Sequence, residues 1–311
     1  MNFVFISPNF PDIFWQFCDR LSRNGVTVLG IGDAPYDGLR DELKSALTEY
    51  YKVDSLEDYD AVFRAVAFFS FKYGKINWLE AFFVEKSDYP YVMEKFITGD
   101  VYSYDAISDS NGDPLFESSF ICPNVAESVN SGLEVLYYIT DKVPEQLRVL
   151  GRKAIKAFKV KNRFTHFEFF RLTEDRKGLG KAGDFVGLEV NMRPAGGYTP
   201  DMINFAHSTD VYKLWADMVC YDSLTQAGQG VDRYCVFASR KDAFTHTHTH
   251  NEILDKYGSR IVLCERMPDI FAAAMGNQMY TAVCDTIEEA REFAVYVLDE
   301  QAEIVTPALF R

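Results

Sequence analysis

The chain has 311 residues, 48% of them hydrophobic and 25% charged, with a formal net charge of −14. That is the composition of an ordinary globular protein long enough for two or three domains. The acidic balance argues against a nucleic-acid or anionic-membrane partner, since either needs a basic surface. Cys18, Cys122, Cys220, Cys235, Cys264 and Cys284 show no short paired spacing. They outline neither a zinc knuckle nor a disulfide framework, which implies a reducing cytoplasm. The first apolar run is only Phe3 to Ile6, too short for a signal peptide, and no stretch is long enough to span a bilayer.

Residues 1–80 alternate strand and helix. Phe3 to Ile6 is a short apolar strand. Ile13, Phe14, Phe17, Cys18 and Leu21 then recur at helical spacing, and Gly25 stands where a C-cap glycine is placed. Val26 to Ile31 reads as a strand, Leu39 to Leu47 as a helix and Tyr50 to Val53 as a strand. Ser55 with Asp58 opens a further helix as a capping-box-like pair. Such alternation predicts a parallel, doubly wound sheet. The turn Ser7-Pro8-Asn9-Phe10-Pro11 lacks the glycine fingerprint of a dinucleotide site, so no Rossmann-type cofactor is expected.

Val101 to Ser108 and Leu115 to Ser119 read as paired strands about the turn Asn111-Gly112-Asp113. Gly132 to Ile139 and Glu145 to Phe158 read as apolar-periodic helices. Between Phe164 and Gly197 two runs alternate at strand period around a Gly/Lys-rich loop from Glu174 to Asp184, the pattern of a hairpin. Alternation puts Val186, Leu188 and Val190 on one face, with Glu189, Asn191 and Arg193 on the other. In the first run His166, Glu168 and Phe170 lie opposite Thr165, Phe167 and Phe169. If the apolar faces match, Glu168 and Glu189 come together, with Asn191 and Arg193 further along. Adjacent carboxylates repel unless a cation sits between them. A hard divalent ion such as Mg²⁺ takes oxygen ligands of this type and keeps substrate phosphates in its other positions. A guanidinium adds a flat fork of donors for a phosphate. The same alternation also describes a half-buried hairpin with a wet polar face.

Tyr234 to Ser239, Ile261 to Glu265 and Tyr280 to Cys284 read as strands, and Thr286 with Glu289 makes a capping box for a helix reaching Leu298. Together they suggest a small α+β domain. His246, His248 and His250 alternate with threonines and would share one face if extended, and three histidines can bind zinc. With no acid nearby beyond Glu252 and a helix following, the run reads as an exposed loop.

The order of the pieces, Glu in an apolar strand, a variable loop, then LEVNMRPAGG, resembles the metal-binding signature of the ATP-grasp superfamily. Members include biotin carboxylase, carbamoyl-phosphate synthase large chains and many carboxylate–amine ligases. The resemblance is strongest from Phe164 to Met218. It implies ATP with Mg²⁺ or Mn²⁺ as cofactors, Glu168, Glu189 and Asn191 as metal ligands, and Arg193 as the catalytic contact to a phosphate or acyl phosphate. The run from Tyr89 to Asp100 is similar to the strand on which adenine rests in that family. By this likeness Glu94 takes a ribose hydroxyl or the adenine amine, and Lys95, Phe96 and Ile97 form the adenine edge.

The likeness implies three parts: a pre-ATP-grasp doubly wound domain at 1–80, a partial ATP-grasp nucleotide and metal domain at 81–226, and a small α+β domain at 227–311. The middle part is partial because the family's two phosphate-contacting lysines have no counterpart. Ile76-Asn77-Trp78-Leu79-Glu80 runs straight into Ala81-Phe82-Phe83-Val84-Glu85, and Lys72, Lys75 and Lys86 flank the junction outside the required strand context. Two functions compete. One is a cytoplasmic ligase in which Mg²⁺·ATP phosphorylates a small-molecule carboxylate and an amine displaces phosphate, with a homodimer as one open assembly. The other is a non-catalytic nucleotide-binding, metal-binding or interaction protein of the same ancestry.

Overall fold

The computed structural model describes residues 1–80, 97, 99–122, 133–226, 230–268, 272 and 274–310, which fall into two compact units. Among these residues the first unit holds 1–80, 196–198 and 210–226. Its strands β1 (Asn2–Ile6), β2 (Thr27–Gly32), β3 (Glu49–Lys52) and β4 (Trp78–Glu80) form a parallel sheet in the order β3-β2-β1-β4. β1 and β2 are the central strands and read as continuous apolar runs because helices cover both faces. Val4, Ile6, Leu29 and Ile31 cluster with Val62, Ala65 and Phe69 of the helix Tyr59–Tyr73. Phe3 and Phe17 pack edge-on against Trp215 of the helix Val211–Tyr221, at 5.7 and 5.1 Å between centroids.

Local signals act mostly as the sequence suggests. Gly25 ends the first helix with φ +75°, a conformation glycine adopts without Cβ strain. The expected pairing of Ser55 with Asp58 resolves differently. Asp58 is itself the N-cap, its side chain accepting from Ala61 N, while Ser55 Oγ accepts from Glu57 N in the preceding turn. Lys72 is tied to Glu49 at 2.7 Å.

The second unit is built on nine antiparallel strands: β5 (Gly99–Ser108), β6 (Pro114–Ser118), β7 (Phe120–Cys122), β8 (Val135–Ile139), β9 (Arg163–Leu172), β10 (Phe185–Asn191), β11 (Tyr234–Arg240), β12 (Ile261–Arg266) and β13 (Gln278–Cys284). Their order is β10-β9-β5-β7-β8-β11-β13-β12, with β6 on β5. One face is a continuous core. Tyr102, Tyr104, Leu136, Tyr138, Phe167, Phe169, Val236 and Tyr280 pack with Leu147, Ile155, Phe293 and Val297 from covering helices. The helix Glu145–Ala157 lies so close to β5 that a Cβ on Gly151 would fall 2.3 Å from the Tyr104 ring.

Two features differ from the sequence reading. The helix expected over Gly132 to Ile139 is strand β8, all five of its residues buried. Val135-Leu136-Tyr137-Tyr138-Ile139 is a short, β-branched and aromatic run, and such a run buried on both sides has no period to separate strand from helix. Strands β11 to β13, read as part of a separate small domain, are hydrogen-bonded into this sheet through the β8–β11 ladder.

Candidate metal centre

The face of β5, β9 and β10 opposite the core carries the polar residues. In an antiparallel ladder, residues directly opposite share a face. Ser103 of β5 stands opposite Glu168, and Asp105 opposite His166. On the other side of β9, Glu189 stands opposite Glu168 and Asn191 opposite His166. Six polar side chains therefore share one surface where the strands meet.

The register is not that of plain alternation. Val186 faces Phe170 and Gly187 faces Phe169, then Leu188 is bulged out and Glu189 faces Glu168. An extra residue in one strand reverses the facing of everything beyond it. Val186 and Val190 therefore do not share a face as expected. Leu188 and Val190 remain 37% and 38% exposed on this edge strand.

The centre of the surface is a buried string of hydrogen bonds. His166 places Nδ1 2.9 Å from Asp105 Oδ1 and Nε2 3.2 Å from Glu168 Oε1. Asp105 Oδ2 also accepts from Ser103 Oγ, and that hydroxyl oxygen accepts the Phe120 N–H at 2.8 Å. Phe120 stacks on the imidazole at 5.4 Å and 20°. Burial pushes the imidazole toward neutrality, but Asp105 and Glu168 outweigh it and raise its pKa to about 9. An imidazolium donates from both nitrogens and is the form that satisfies both acids.

Arg193 lies two residues beyond β10, half-buried, its Nη1 donating to Pro194 O at 3.0 Å. Ile97 is half-buried just ahead of β5. Glu94, Lys95 and Phe96 lie outside the described residues. Among the described residues no three His, Cys, Asp or Glu side chains gather as a metal site. The set at hand has two facing carboxylates and an amide. The Asn191 Nδ2 position is buried without a hydrogen-bond partner. The two ends of an amide are assigned from their partners, and turning this one puts an acceptor at the orphaned position. Two facing acids with a buried amide oxygen fit a hard divalent ion.

Alternation already places His166 beside Glu168. Asp105 is the residue that sequence reasoning missed, although an acid in a strand with Val101, Ala106 and Ile107 signals a buried partner. A second cluster also escaped notice. Buried His207 holds Ser118 Oγ at 3.0 Å through Nε2 and Asp232 Oδ1 at 3.0 Å through Nδ1. Burial lowers the His207 pKa, with Asp232 pulling against it. His207 and Asp232 line a cavity of about 340 Å³, but Ser118 is 1% exposed and not part of the lining. The trio serves as a buried lock and presents no nucleophile to the cavity.

The histidine run divides among three partners. His246 Nε2 pairs with buried Glu134 at 2.6 Å, His248 stacks on Tyr296 at 3.6 Å, and His250 Nδ1 meets Tyr280 Oη at 2.9 Å. A shared zinc ion does not fit that dispersal. All six cysteines are free. Among the described residues no helix is long and apolar enough to cross a membrane.

The two units, a parallel sheet with helices and an antiparallel sheet with helices, make a mixed α/β and α+β fold that solved structures share. Among solved structures the chain is similar to phosphoribosylglycinamide synthetase from Anaerococcus prevotii, with a TM-score of 0.61 at 9% identity over 96% of this chain and 98% of that one. It is similar to a biotin carboxylase–β-γ-ATP complex from Campylobacter jejuni, with a TM-score of 0.57 at 11% identity over 99% and 95% of the two chains. The biotin carboxylase domain of a thermophilic 2-oxoglutarate carboxylase, bound to bicarbonate, gives 0.57 at 10% identity over 96% and 90%. No family model matches the sequence, and no curated protein matches it.

Proposed function

We propose that the chain is a cytoplasmic ATP-dependent ligase of the ATP-grasp kind, acting on a small-molecule carboxylate and an amine. The observation that carries this reading is the facing pair Glu168 and Glu189, with Asn191 two pairs further along the same ladder. Glu168, Glu189 and Asn191 would hold Mg²⁺ or Mn²⁺, which when bound neutralises phosphate charge during transfer. Arg193 supplies a guanidinium just past the strand, suited to a phosphate or acyl phosphate. Glu94, Lys95, Phe96 and Ile97 would meet the nucleoside. In the overall reaction a carboxylate oxygen takes the γ-phosphoryl group and ADP leaves; the amine nitrogen then attacks the acyl carbon and phosphate departs. Positioning and charge neutralisation carry such transfers.

The second reading is a non-catalytic protein of the same ancestry. It draws on the junction at Glu80 and Ala81, where the family-like lysines have no counterpart in the sequence. A site without its phosphate cover excludes water poorly and binds the triphosphate weakly. Isothermal titration of ATP in the presence of Mg²⁺ separates the two. Micromolar or tighter binding with ATP hydrolysis supports the ligase, and silence supports the degenerate protein.

A further inference from the structure

We infer that His166, held in turn by Asp105, is a positioning residue that fixes the Glu168 carboxylate for a divalent cation. The inference rests on the metal-site reading above. The ring bridges two acids, Nδ1 on Asp105 Oδ1 at 2.9 Å and Nε2 on Glu168 Oε1 at 3.2 Å. Behind it Asp105, fully buried, is bonded to Ser103, and Ser103 takes the Phe120 backbone N–H. A path of hydrogen bonds anchored in the backbone of β7 thus ends on one oxygen of Glu168. Glu168, with Glu189 opposite it on the ladder, would hold the cation. Phe120 stacked on the imidazole sets the plane in which Nε2 points.

The chemistry explains why a histidine stands here. A glutamate carboxylate on a strand swings about three side-chain torsions unless something fixes it, and groups behind a metal ligand commonly do so. A buried acid such as Asp105 is costly without a donor. A two-ended donor satisfies the acid and orients the ligand together, whereas a ring present for packing alone would need neither contact.

The test titrates Mn²⁺·ATP into the full chain and follows bound Mn²⁺ by electron paramagnetic resonance, with thermal melts as the folding control. His166→Phe keeps a flat ring against Phe120 and removes both donors. His166→Gln discards the ring and keeps an N–H donor. We expect wild type to bind, Glu168→Gln to lose binding, and His166→Phe to weaken it at least tenfold with an altered fine structure of the bound ion. His166→Gln should stay within threefold of wild type. A packing role gives the reverse order for Phe and Gln. Wild-type affinity in His166→Phe, with binding lost in Glu168→Gln, overturns the positioning role and leaves the metal site standing. Equal behaviour of wild type and Glu168→Gln overturns the metal site and the inference with it. Should His166→Phe fail to fold around an unpaired Asp105, the double variant Asp105→Asn/His166→Phe, with the same expected weakening, decides the question.

Discussion

Glu189 stands directly across the ladder from Glu168 because β10 carries one residue more than β9 can pair, Leu188. Without that bulge, continuing the register of Val186 on Phe170 and Gly187 on Phe169 would set Glu189 against Phe167, on the core face. The facing carboxylates thus depend on Leu188 being bulged out and not paired.

Deleting Leu188 closes the bulge and leaves Glu189 directly after Gly187, still opposite Glu168, so the deletion should keep Mg²⁺-dependent ATP binding. Isothermal titration, with circular dichroism as the control, checks this. Binding lost in a deletion variant that folds normally would show that the facing pair is not the site.

Like charges opposed on a ladder destabilise by roughly 0.2–1 kcal/mol. Glu189→Gln in metal-free buffer should accordingly raise stability by about that amount. The same variant should weaken Mg²⁺·ATP binding about tenfold, or about 1.4 kcal/mol. Denaturant melts and calorimetry on one preparation measure both, and opposite signs are the expected result.

The His166 imidazole has its pKa raised to about 9 from an ordinary value of 6.5. A folded-state pKa above the unfolded one means the stabilisation is complete below pH 6.5 and is lost as pH rises through about 9. Metal-free wild type should lose more melting temperature across that window than His166→Gln does. Parallel curves for the two proteins would contradict the assignment.

Gly151 faces the Tyr104 ring at a distance no Cβ tolerates, 2.3 Å. Gly151→Ala should destabilise the second unit by roughly 1–3 kcal/mol through overpacking. Urea unfolding is the measurement, and a neutral result would mean the helix can shift away from β5.

Glu134 is fully buried, and burial pushes its carboxyl up while the bond from His246 pulls it down. Removing one partner of a buried pair costs about 3–5 kcal/mol, so His246→Ala should be strongly destabilising. His248→Ala, which loses only a ring stack on Tyr296, should be mild. Equal effects would contradict the separate roles found along the histidine run.

Much of this molecule is legible from local pattern. The parallel sheet follows from apolar strands alternating with helices, and Thr286 caps its helix by accepting from Glu289 N, while the Glu289 carboxylate accepts from Asp285 N instead of closing the expected box on Thr286 N. The helix expectation fails at β8 because its five apolar residues show no period. The pair Asp105 and His166 was out of reach, because 61 residues separate them and only the β5–β9 ladder joins them. The three histidines at 246, 248 and 250 look like one ligand set in sequence, and the fold sends them to Glu134, Tyr296 and Tyr280.

By itself the sequence determined most strands and helices, β8 excepted, and that acids 168 and 189 belong to one hairpin, because periodicity and capping act over a few neighbouring residues. Only the tertiary structure decided that those acids share a face, and that a buried histidine bridges one of them to Asp105. Bulges and cross-strand contacts depend on partners far apart in the chain, and local pattern carries no record of them.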